Sequence, residues 1–184
     1  MFIAKQLKEK NIAEYLLYMW QVEDLLRANH LDIEEVKRTL VASYQVDEAQ
    51  KAELTQWYEN LIEMMRTEGV AQEGHLQINK NVLINLTDLH LRLLRSPKVP
   101  FYGALYYQTL PFIVELRAKS RSRDLPELET CFDALYGVML LRLQKKEVGA
   151  ATAKAVDTIG QLVAQLAKYY EMDRRGELDK LLND

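Results

Sequence analysis

The chain has 184 residues, 48% apolar and 28% charged, with a formal net charge of −3. That is enough for about one domain burying roughly 70% of its unfolded surface, and it is too apolar for a disordered segment. Cys131 is the lone cysteine, which excludes an intrachain disulfide, and the start MFIAKQLKEKN lacks the apolar core of a secretion signal.

Glycine and proline are sparse, and Leu, Ala, Glu, Lys, Arg and Gln dominate, so the composition favours helix. Residues 3–28 predict one long helix, with Ile12, Tyr15, Leu16, Met19, Val22 and Leu26 at three- and four-residue steps. Its stretch EYLLYMWQVEDLLRAN, from Glu14 to Asn29, reads as a hydrophobic seam with the charges turned outward. Asp32 with Glu35 predicts a capping box, and Leu31 with Val36 a hydrophobic staple, for a second helix ending near Ser43. Asp47 with Gln50 predicts the same box for a third helix, through Leu54, Trp57, Tyr58, Leu61, Ile62 and Met65 to Gly69. A fourth begins at Asn79 or Asn81 and carries His90 on its apolar stripe, with Asp88 and Arg92 spaced as a surface pair.

Ser96-Pro97-Lys98-Val99-Pro100 breaks the chain. A fifth helix follows over about 101–120, with a kink expected at Pro111 because that residue has no N–H for the carbonyl of Tyr107. SRSRD is the next break, and Asp124 with Glu127 predicts the cap of a sixth helix reaching about Lys146. Its second half is apolar nearly all round, which predicts the most buried helix, with Gly137 marking a close approach. A seventh spans about 150–173, with Gly149, Ala153, Gly160 and Ala167 as a small-residue line. From about residue 176 a short frayed tail is expected. The expected fold is all-α: a single domain over 1–184, an antiparallel bundle of six or seven helices.

Chemistry has no visible address. The residues three before His30, His75 and His90 are Arg27, Gln72 and Thr87, so the Glu-x-x-His pattern of di-iron bundles is missing. Glu34-Glu35 and Glu23-Asp24 are each followed by an arginine where a magnesium-binding acid would stand. No glycine-rich phosphate loop and no Gly-x-Ser-x-Gly elbow occurs. No cofactor, metal or catalytic residue is therefore expected. Cys131 and His90 are expected in the core, and Trp20 and Trp57 in the core or a subunit interface.

Charge is uneven. Residues 11–75 carry thirteen acids and five bases, net −8; residues 92–123 carry seven bases and Glu115, net +6. The basic stretch also holds aromatic residues, of which Phe101 and Tyr107 are the better candidates for exposure. Two readings follow besides plain core packing. Arg95, Lys98, Tyr107, Arg117 and Arg121 line a candidate site at the Pro111 kink for a small anionic or aromatic ligand, either as a binding module or as an enzyme. Weak nonspecific binding of RNA or single-stranded DNA is the other, though sequence-specific DNA binding is not expected.

FIAKQLKEKNIAEYLLYMWQVEDLLRA and PFYGALYYQTLPFIVELR resemble hallmark segments of an uncharacterised all-helical Bacteroidetes family, a domain of unknown function of about this length. The resemblance covers the whole chain and implies a cytoplasmic bacterial protein. It brings no activity, cofactor or catalytic residue. The reading it leaves in front is a non-enzymatic cytoplasmic protein that works through an unknown protein partner or as a homo-oligomer, with no membrane contact.

Overall fold

The structure, a computed structural model, describes residues 1–119 and 125–183. Among them it is all-helical: α1 (Phe2–Lys10), α2 (Ile12–Ala28), α3 (Ile33–Thr39), a 3-10 turn (Val41–Ser43), α4 (Glu48–Thr67), α5 (Gln77–Arg95), α6 (Pro100–Lys119), α7 (Glu127–Leu143), α8 (Ala150–Arg174) and α9 (Leu178–Asn183). The chain divides into two compact units, Met1–Lys10 with Glu14–Val82, and Asn11–Ala13 with Leu83–Asp184.

In the first unit α3 packs on α4, with the 3-10 turn against both. Its core holds the stripe read from the sequence: Tyr15, Leu16, Met19, Val22 and Leu26 of α2 are all buried, and so is Trp20 beside it. The Asp47–Gln50 capping box forms in both directions. The Asp32 box does not. Asp32 accepts from the Glu34 N–H at 2.8 Å, and Glu35 turns instead to His30 Nδ1 at 3.0 Å. The reason is local: His30 and Leu31 both take φ of +56°, and this left-handed pair swings the imidazole over Glu35. Arg66 holds that turn by donating to the Leu31 carbonyl at 2.9 Å. Burial first, and then the neighbouring Tyr44, pushes the Tyr18 and Tyr58 phenols above the ordinary range.

In the second unit α8 packs against α6, α7 and α9, and α6 against α7. Val156, Ile159, Leu162, Val163 and Leu166 of α8 form the centre of that core. Three expectations change here. The second half of α7 is only half-buried, and Leu143 at its end is 60% exposed, so α7 is not the innermost helix. A Cβ on Gly137 would meet nothing within 4 Å, so no neighbour approaches there. The expected tail forms α9: Leu178 is fully buried, and Asp179 shares Arg92 with Asp173, each at 2.9 Å. Those two bonds take Arg92 away from Asp88.

The expected helix over 3–28 is two helices. Asn11 interrupts it and caps α2 by accepting from the Ala13 N–H at 3.1 Å. The cap expected at Asp124 lies outside the described residues, and Pro126 stands at the N-cap of α7.

Candidate functional site

Two polar networks and one exposed apolar face stand out. The first network is in the first unit. Glu23 was expected to face solvent, but it is 1% exposed. It follows Met19 by four and Leu16 by seven, which puts it on the buried stripe rather than beside it. Its carboxylate accepts from the Leu76 N–H (2.9 Å) and Asn79 Nδ2 (2.7 Å), and lies 2.6 Å from His75 Nδ1. The His75 ring stacks on Trp20, centroids 4.1 Å apart. One turn on, Arg27 binds Asp24 and donates to the carbonyls of Val70 and Gly74. Together they tie the 70–76 loop and the start of α5 to α2. A carboxylate at a helix N-terminus with three polar neighbours is satisfied by the fold itself.

The second network holds α6. The inner face of α6 is Tyr102, Leu105, Thr109 and Ile113, all buried. Tyr102 Oη lies 2.6 Å from His90 Nδ1, and Tyr106 donates to Glu127 Oε2 at 2.7 Å. Burial holds the His90 imidazole below its ordinary pKa, with Glu127 opposing, and burial raises the Tyr102 phenol. The bond therefore joins two neutral groups. Tyr106 is pushed up to about 12 by burial and then by its bond to Glu127. Cys131 is fully buried, and its thiol is pushed up to about 12 by burial, so it is inert at neutral pH.

The outer face of α6 is different. Pro100, Ala104, Tyr107, Pro111, Val114 and Ala118 are all exposed. Their spacing of four, three, four, three, four is the seam repeat by which one helix lies along another. At about 100° per residue this stripe lies opposite the Tyr102–Ile113 face. Tyr107 is 69% exposed and Val114 57%, and Phe101, beside the stripe, is 66% exposed. No charged residue occurs from Pro100 to Val114. The helix runs unbroken through Pro111, and the proline ring stands on the exposed side, where the freed Tyr107 carbonyl can reach water. Tyr106 supports the Tyr107 ring at 5.3 Å between centroids.

The candidate residues from the sequence fall around this face rather than into a cavity. Arg95 is exposed at the end of α5, Lys98 is exposed just before α6, and Tyr107 is on the seam. Arg117 is half-buried near the end of α6, about 15 Å along the axis from Tyr107. Arg121 lies outside the described residues. None of the first four lines either of two grooves among the described residues. One, of about 570 Å³, runs past His30, Asp32, Glu59, Glu63 and Arg66. Another, of about 290 Å³, holds Arg92 and Asp173, which are already paired. No group among the described residues is arranged to hold a metal ion, and no helix among them is long and apolar enough to cross a membrane.

Five of the six seam residues, Pro100 to Val114, fall within the second hallmark segment. The chain belongs to the family described as domain of unknown function DUF4924. The match covers residues 1–177, so it includes both networks and the α6 face. No curated protein and no solved structure matches the chain.

Proposed function

We propose that this protein is a non-enzymatic helical protein that works by binding another protein, and that the outer face of α6 is its contact surface. The observation that carries this is the exposed stripe from Pro100 to Ala118, with no charged residue as far as Val114. Large apolar groups left in water on one continuous stripe cost stability in the free chain, and contact with a second surface recovers it. The polar networks support the role less, since the Glu23 carboxylate and the Tyr102 and Tyr106 hydroxyls make their bonds within the chain. The two hallmark segments favour a bacterial, Bacteroidetes setting and a cytoplasmic location, and the short connections favour an antiparallel bundle.

The test is paired purification from the protein's own cells, wild type against Val114→Glu, followed by mass spectrometry of what comes with each. The proposal expects one or more proteins held by the wild type and lost from the variant. Identical protein profiles from the two, with the variant still folded, would end it.

A further inference from the structure

The charges at the two ends of the α6 seam say what kind of surface it fits, granted the interaction reading above. Arg95 and Lys98 stand just before its N-terminal end and Arg117 at its C-terminal end, and none of the three makes an ion pair among the described residues. The Nε of Arg117 is buried and has no hydrogen-bond partner among the described residues. Beside it, Lys119 and Glu115 pair with each other at 2.6 Å. The seam is thus an apolar strip about 30 Å long with, among the described residues, a positive charge outside any ion pair at each end.

We infer that the occupant of this seam is an amphipathic helix of a different protein, with an apolar stripe of its own and carboxylates near both of its ends. A second copy of this chain fits badly. Two α6 helices laid antiparallel bring Arg95 and Lys98 of one against Arg117 of the other, and laid parallel they bring each cation against itself. Like charges meet either way. A helix carrying Glu or Asp at both ends meets opposite charge in either direction. The small residues Ala104 and Ala118 let its backbone come close, with Tyr107 and Val114 as the larger contacts. The freed carbonyl of Tyr107, left by Pro111, offers an acceptor midway for a polar side chain of that helix. Nucleic acid fits less well than protein: a phosphate chain needs cations along its track, and Pro100–Val114 provides none.

The probe is a synthetic helical peptide of about 20 residues with a Leu/Ala seam and two glutamates at each end, titrated against the full chain by fluorescence anisotropy at low salt. A second peptide carries lysines in place of the glutamates. The expected result is binding of the acidic-ended peptide about tenfold tighter than the basic-ended one, the scale of several exposed ion pairs. The triple variant Arg95→Glu, Lys98→Glu, Arg117→Glu should reverse the preference, and Val114→Glu should weaken both peptides. Equal binding of the two peptides, or none of either, overturns the inference. A sedimentation result in which wild type dimerises and Val114→Glu does not would give the seam to a second copy. Displacement of the acidic peptide by a uridine 20-mer would give it to nucleic acid. These results remove the acidic helix alone, whereas unchanged protein capture by Val114→Glu removes the interaction reading itself.

Discussion

The loop clamp around Glu23 and the outer face of α6 break opposite rules. Glu23 puts a carboxylate where an apolar side chain belongs, and α6 puts apolar side chains where polar ones belong. At Glu23 the anomaly is resolved inside the molecule, because Leu76, Asn79 and His75 supply the polar partners that water would have given. At α6 nothing within its unit covers Tyr107 or Val114. A buried polar group with every partner in place is architecture. An exposed apolar stripe without a partner points outside the chain.

That contrast can be broken by substitution, starting where the expected loss is greatest. Glu23→Ala leaves two donors and an imidazole without their acceptor and should cost about 3–5 kcal/mol in urea denaturation. Glu23→Gln keeps one acceptor oxygen and should cost less. A loss under about 1 kcal/mol for the alanine variant would mean that the carboxylate is not what holds the loop. Tyr102→Phe removes the hydroxyl facing His90 and should cost about 1–2 kcal/mol. A smaller effect comes from pH. Burial lowers the His90 pKa in the folded chain from 6.5. As pH falls through that value the unfolded imidazole takes a proton before the folded one does. The stability His90 contributes is therefore complete above about pH 7 and is lost as pH drops below 6.5. Melting temperatures measured from pH 7.5 down to 5.5 should decline, and His90→Gln should flatten the decline even if its midpoint is lower throughout. The smallest change is expected at the seam. Val114→Glu should shift stability by no more than about 0.5 kcal/mol, because the side chain already stands in water. A large loss there would show that Val114 is covered in the native chain.

Much of this is legible in the sequence alone. The stripe of α2, the Asp47–Gln50 cap, the core placement of His90 and Cys131, and the exposure of Phe101 and Tyr107 follow from spacing and residue chemistry. Glu23 was not legible as buried, because an acid on an apolar stripe looks like a charge at its margin until distant partners arrive. Those partners come from residues 52 to 56 further along the chain. The last turns of α7 misled in the other direction: Leu140, Leu141 and Leu143 look like a core, yet no neighbour reaches Leu143 to cover it. For α6 the missing clue was in plain view. Apolar residues on both faces of a helix predict either full burial or a seam left for a partner, and composition alone does not separate the two.

A photo-crosslinking amino acid placed at position 107, and at exposed Glu53 of α4 as control, asks the central question in the protein's own cells. The account predicts a discrete protein adduct from position 107 and none from position 53. Adducts equal at both positions, or none at 107, would contradict it.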